Sequence, residues 1–193
     1  MLIVYSGSMA SGKSKKLLRE IRLAEKNNEK HLVLHCTIGF RGDSVIHSRG
    51  GDFVPAKGIE TIRDILLELK ANKDVQKVFV DEVQFFELNI DDIKELTDYC
   101  TLCKIKLYMS GLELDCFNNP FKIMGALFCY ADRVLKYKGI CDVCGKHNSS
   151  RRALRYINGL LDEDESNVLV IDNDANRVKY TPVCHECYIN RHC

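Results

Sequence analysis

Residues Gly7 to Ser14, reading G-S-M-A-S-G-K-S, satisfy the pattern G-x-x-x-x-G-K-[ST]. They lie between the apolar run Leu2-Ile3-Val4-Tyr5 and a stretch in which Leu17, Leu18, Ile21 and Ala24 recur at helical spacing. A strand, a glycine-bearing loop and a helix in that order predict an α/β fold of the P-loop kind and binding of a nucleoside triphosphate. The glycines let backbone N–H groups turn toward phosphate oxygens, and the helix N-terminus adds partial positive charge. Gly7, Ser8, Met9, Ala10, Ser11 and Gly12 are then expected to wrap the phosphates. Lys13 reaches the β- and γ-phosphates, and the Ser14 hydroxyl ligates Mg2+.

The alternation continues along the chain. Asn27-Asn28 closes the first helix, and His31-Leu32-Val33-Leu34-His35 reads as a strand. Residues 37–58 have no clear period and are expected to form a loop. Ile62, Ile65, Leu66 and Leu69 mark a second helix, and Val78-Phe79-Val80 a short buried strand ending on Asp81-Glu82. A third helix is expected over 90–103 with Asn89 as N-cap. Ile105 to Met109 is a strand before Gly111, Pro120 opens a fourth helix reaching about Tyr130, and Val134 to Tyr137 form a further strand. Strands alternating with helices predict a parallel sheet covered on both faces, with ligands at the carboxyl ends of its strands. Gly7, Asp81 and Gly111 all fall there. Residues 1–138 are thus expected to form a P-loop nucleotide-binding domain.

The pattern changes after residue 138. Cys141-x-x-Cys144 and Cys184-x-x-Cys187 bracket a segment with little helical pattern, in which Val168-Leu169-Val170-Ile171 reads as a strand. A first strand beginning at Leu2 leaves no room for a signal peptide, and no apolar stretch approaches the roughly 20 residues of a membrane span. A reducing, cytoplasmic setting follows as the expectation. The ten cysteines are then metal ligands or packing residues rather than disulfides. Two C-x-x-C knuckles supply four thiolates to a tetrahedral zinc ion with no position left for water, so the metal is structural. Residues 139–193 are expected to form a zinc-clamped lobe too small to fold firmly without its metal. His185, His192 and Cys193 lie nearby as rival ligands. Cys100 and Cys103 share the spacing but continue the helical stripe of Ile93 and Leu96, so packing is their expected role.

A net charge of +1 argues against broad nucleic-acid binding, which needs a basic surface. The pair Asp81-Glu82 stands where a second nucleotide-binding motif belongs. Asp81 is expected to hold Mg2+ directly or through water, leaving Glu82 as a general base. A glutamate there can orient water or deprotonate an alcohol, so hydrolysis of the triphosphate and onward transfer both stay open.

Gly7 to Ser14, the block Asp81-Glu82-Val83-Gln84-Phe85-Phe86, Gly111-Leu112-Glu113 with Pro120-Phe121, and the two cysteine pairs occur in one order. Together they resemble the cellular, tetrameric type of thymidine kinase (type II), nearly end to end. The resemblance implies transfer of the ATP γ-phosphoryl group, with Mg2+, to the 5′-hydroxyl of thymidine, with deoxyuridine a near neighbour, and a homotetramer. It implies Glu82 as base, and Asp81 and Gln84 on the nucleotide side. Arg41 would lie against the donor phosphates. Met9, Phe85 and Leu112 would form an apolar pocket for the 5-methyl group. A lasso-type loop between Cys144 and Cys184 would close over the base, with Tyr180 at the nucleoside and backbone groups of Val168, Val170, Ile171 and Asp172 on the base edge.

Departures from the family pattern fall on the acceptor side. Cys116 occupies the position of a nucleoside-contacting phenylalanine, and Phe117 follows it. Either the loop slips by one residue to restore the aromatic, or that contact is lost. Gly39 replaces the first residue of the D-x-R segment that ends on Arg41. The segment before Tyr180 lacks the family's paired glycines and is longer. Two other readings stand beside the kinase: a P-loop ATPase or nucleic-acid-associated switch using a zinc ribbon, and a nucleotide-binding regulatory relative without turnover.

Overall fold

A computed structural model describes residues 1–38, 45–48, 51–168, 170 and 177–191. The elements in chain order are β1 (Leu2–Gly7), α1 (Lys13–Lys26), β2 (His31–Cys36), β3 (Val45–His47), β4 (Phe53–Pro55), β5 (Lys57–Ile59), α2 (Ile62–Ala71), β6 (Lys77–Asp81), α3 (Ile90–Leu102), β7 (Lys106–Gly111), α4 (Lys122–Tyr130), β8 (Arg133–Tyr137), β9 (Arg152–Ile157), β10 (Leu160–Leu161), β11 (Val178–Val183) and α5 (His185–Ile189). A 3-10 turn at Val83–Phe85 follows β6. Six strands form one sheet in the order β5-β2-β6-β7-β1-β8, and every pairing in it is parallel.

Strand alternation divides the core between the two faces of this sheet. Leu2, Val4, Val78, Val80, Leu107 and Met109 pack against α2, α3 and α4. Ile3, Tyr5, Phe79 and Tyr108 point the other way, against Leu17, Leu18 and Ile21 of α1. Runs buried on both faces are what a parallel sheet under helices requires. The Phe79 and Tyr108 rings stack at 4.9 Å beneath α1.

The helix ends differ in a way that bears on function. Thr61 and Asp64 close α2 with a reciprocal capping box, and Asn89 accepts from Asp91 and Asp92 at the start of α3. The N-terminus of α1 has Gly12 at φ 89° and no side-chain cap, so its first N–H groups are left for another acceptor. The fourth helix begins at Lys122, two residues beyond Pro120, which instead bridges Leu114 in an antiparallel turn.

Residues 37–58 are not simply a loop. They hold the antiparallel hairpin β3–β4 and the edge strand β5, which pairs with β2. Ile46 and Val54 are the hairpin's buried contacts and join the α1 face of the core. Beyond β8, β9, β10 and β11 form a separate antiparallel sheet in the order β10-β9-β11. The strand expected at Val168–Ile171 does not form at Val168 or Val170, and Leu169 and Ile171 lie outside the described residues. The strands actually used are the basic-apolar segments on either side. Cys100 is buried in the core as expected, whereas Cys103 is exposed at the C-cap of α3. No helix among the described residues is long and apolar enough to cross a membrane.

Candidate active site

At the carboxyl ends of β1, β6 and β7 lies a cavity of about 560 Å3. Ser8, Met9, Ala10, Ser11, Gly12, Lys13 and Ser14 form one wall. Gly7 sits beneath them at the end of β1. A Cβ there would meet the Tyr137 carbonyl oxygen at 2.4 Å and Ser11 Oγ at 2.6 Å, so the loop can pass this point only on a glycine. The loop is braced from the C-terminal segment. Ser8 Oγ lies 2.9 Å from Ser150 Oγ and donates to the Ser150 carbonyl at 3.1 Å, both residues buried. A Cβ on Gly139 would approach the Ala10 carbonyl oxygen at 3.0 Å.

The two carboxylates at the end of β6 divide in environment. Asp81 is buried, and its Oδ1 has no hydrogen-bond partner among the described residues. Burial, with Glu82 next, raises its pKa from 3.8 to about 6, and Lys13 pulls it back. Glu82 lines the cavity half-buried, in left-handed backbone at φ 58° and ψ 36°. Such a conformation costs a non-glycine residue about 1–2 kcal/mol, and strain of this kind gathers at functional sites. Gln84 stands behind Glu82, away from the cavity. Its Nε2 donates to Glu82 Oε2 at 2.6 Å, while its Oε1 accepts from the Leu112 N–H at 3.0 Å. Gln84 therefore fixes the direction of Glu82 from a buried position. Gly111 makes room for it, since a Cβ there would meet Gln84 Oε1 at 2.8 Å.

Opposite the loop, Phe85, Leu112 and Cys116 line the cavity, and Phe121 joins them edge-on to Phe85 at 6.1 Å between ring centres. The loop at 113–118 does not slip to bring Phe117 in. Asp115 accepts from the Phe117 and Asn119 N–H groups, a tight turn that leaves Cys116 facing the cavity and seats Phe117 under the Arg155 guanidinium, 5.0 Å from its ring centre. Burial pushes the Cys116 thiol up to about 11, so it stays protonated at neutral pH. Val168, Val170 and Tyr180 complete the far wall. Arg41, Ile171 and Asp172 lie outside the described residues.

Sequence reading missed several lining residues. Glu113 accepts from Ser6 Oγ at 2.9 Å, Arg151 Nη2 at 2.9 Å and Lys136 Nζ at 3.0 Å. Burial alone would raise its pKa, but those three donors outweigh it and hold it below its ordinary value. This network ties β1 and β8 to the residue preceding β9. Arg152 also lines the cavity, and its buried Nε has no partner among the described residues. Neither arginine carries a sequence pattern that marks it as a cavity residue, because only the fold brings the start of β9 beside the phosphate loop.

Away from the cavity, the sulfurs of Cys141, Cys144, Cys184 and Cys187 all lie within 4.8 Å of one another and could hold a metal ion. Backbone N–H groups of Cys144, Cys184 and Val143 overcome the effect of burial on Cys141 and lower its thiol to about 6, so it is a thiolate at neutral pH. Among the described residues no histidine joins this group, and His192 and Cys193 lie outside them.

A family model described as thymidine kinase matches residues 1–188. This chain belongs to the thymidine kinase family. Among its relatives, a thymidine kinase from Pseudothermotoga lettingae is 28% identical over 189 residues, spanning 97% of this chain and 94% of the relative. Family membership makes the chain a kinase, with the sheet, loop and carboxylate cleft described above as its frame.

Proposed function

We propose that this enzyme transfers the γ-phosphoryl group of ATP to the 5′-hydroxyl of thymidine, with deoxyuridine as a weaker substrate. The observation that carries this reading is the opening of the P-loop and of Glu82 onto one cavity, with a mostly apolar wall opposite. Lys13 and the uncapped N-terminus of α1 hold the donor phosphates and stabilise charge on the transferring group. Glu82, aimed by Gln84, accepts the proton from the nucleoside hydroxyl as that oxygen attacks phosphorus. Met9, Phe85 and Leu112 receive the pyrimidine's 5-substituent, and Tyr180 with the backbone near Val168 and Val170 covers the base. Covering the cleft excludes water, which favours transfer over hydrolysis.

Two metals fit the residues present. The partnerless Oδ1 of Asp81, whose charge Lys13 feels, suits a hydrated magnesium ion, which neutralises phosphate charge when bound. The four cysteine sulfurs suit zinc in a structural role. We place the enzyme in the cytoplasm as a homotetramer, with residues 1–138 as the nucleotide-binding domain and 139–193 as the zinc-binding lobe.

Deoxyuridine lacks only the 5-methyl group, worth about 1–3 kcal/mol in an apolar pocket. ADP release should be negligible with Mg-ATP alone, fast with thymidine, and about 10- to 100-fold less efficient with deoxyuridine in kcat/KM. ADP release indifferent to nucleoside would instead assign the cleft to an ATPase.

The raised pKa of Asp81 gives a pH dependence. A carboxyl whose folded pKa exceeds its unfolded one holds its proton more tightly when folded, so its contribution to stability is lost as pH rises toward about 6. A cation requires the ionised form and competes with that proton. Binding of a non-hydrolysable Mg-ATP analogue, measured by calorimetry, should weaken roughly tenfold from pH ~7.5 to pH ~5 beyond any change seen in Asp81→Asn. Parallel pH profiles for the two proteins would remove Asp81 from the metal site.

A further inference from the structure

We propose that Arg155 is the positioning residue of the acceptor pocket, a buried cation that ties together the segment before β11, β11 itself and the turn after β7, so that nucleoside affinity depends on it while ATP affinity does not. The proposal rests on the nucleoside-kinase reading above.

Arg155 lies in β9 and is among the most buried side chains of the molecule, 1% exposed. A guanidinium is not placed in such a position without partners, because an unpaired buried charge is costly. Here its donors are distributed with little redundancy. Nε donates to Asp162 Oδ2 at 2.6 Å, Nη1 to the Val168 carbonyl at 2.8 Å, and Nη2 to the Asn167 carbonyl. Tyr180 is the register partner of Arg155 directly across the β9–β11 ladder, its phenol acting on the guanidinium's charge. The guanidinium face covers the Phe117 ring.

Three of these contacts come from different elements around the cavity. Val168 lines the cavity from the segment before β11, Tyr180 lines it from β11, and Phe117 follows Cys116, which lines it from the turn after β7. None of the contacts belongs to the P-loop, Asp81 or Glu82. The rigid fork of a guanidinium can hold two adjacent carbonyls and a carboxylate at once, whereas an ammonium is a point charge. The departure at 116–117 thus acquires a use. The aromatic ring that does not enter the pocket supports the cation that shapes it.

The test uses the full-length, metal-loaded protein and three variants. Arg155→Met with Asp162→Asn removes both buried charges together, Arg155→Lys keeps the ion pair but loses the fork, and Phe117→Leu removes the ring. We expect the thymidine KM to rise on the order of tenfold to hundredfold in the first two and by several-fold in the third. The ATP KM, zinc content and melting temperature of Arg155→Lys should stay near wild type. A wild-type thymidine KM in Arg155→Lys, or equal rises in both KM values, overturns the positioning role. Wild-type protein that never phosphorylates thymidine removes the underlying reading first, and the proposal with it, so the two failures are told apart by the wild-type control.

Discussion

Glu82→Gln is expected to abolish nearly all phosphoryl transfer, lowering kcat by about 100- to 10,000-fold, the range ascribed to a positioned general base. The substitution is nearly isosteric. The half-buried side chain stays at the cavity wall, and Gln84 can still meet it with a hydrogen bond from its own amide. The amide cannot accept the hydroxyl proton. Because Lys13, Asp81 and the loop are untouched, affinity for the Mg-ATP analogue should change by less than about threefold, a difference below 1 kcal/mol. Steady-state kinetics with thymidine, set beside equilibrium nucleotide binding, measure both quantities. Loss of binding in parallel with loss of turnover would show that Glu82 holds nucleotide instead of moving a proton. Retained turnover would move the base elsewhere.

Loss of the four-sulfur cluster should have an effect of comparable size, expressed as stability. Cys184→Ser removes one ligand and leaves three thiolates clustered around an incomplete site. Metal binding in small zinc modules contributes on the order of 10 kcal/mol to folding, so a damaged site gives up several kcal/mol. For a chain of this length each kcal/mol lost lowers Tm by about 2–4 °C, which places the expected drop near 10 °C or more. The consequence reaches the active site, because Gly139 and Ser150 brace the phosphate loop from either side of the first cysteine pair. Nucleotide affinity should therefore fall in the chelated protein and return with added zinc. Differential scanning calorimetry with and without a chelator, alongside metal content, reads this directly. An unchanged Tm after complete metal removal would make the cluster ornamental to the fold.

How far the molecule was legible from its residues depended on what each position had to do. The phosphate loop and Asp81-Glu82 were legible because glycine, lysine and acid at strand ends have few other reasons to occur together. The hairpin β3–β4 was not, since three-residue strands offer Ile46 and Val54 as single inward contacts and leave no period to detect. The antiparallel sheet was misplaced for a related reason. Val168 to Ile171 carries the β-branched run, yet β9 and β11 are built from R-A-L-R-Y-I and V-K-Y-T-P-V, in which arginine, lysine and proline mask the alternation. Burial of Arg155 could not be anticipated at all. A charged residue in a mixed segment reads as solvated until the carbonyls, carboxylate and ring that surround it are assembled by the fold. Gln84 is a subtler case: its place in the motif suggested a nucleotide contact, whereas its two hydrogen bonds direct it to Glu82 and Leu112.

On the proposed reading, Glu82 and the phosphate loop share a cleft in order to join a phosphoryl group to a nucleoside alcohol. The most direct measurement follows the label from γ-32P ATP in the presence of thymidine and magnesium. Label should appear in thymidine 5′-monophosphate, one phosphate per ADP formed, with little released as inorganic phosphate. Label released only as inorganic phosphate, at a rate indifferent to thymidine, would contradict it.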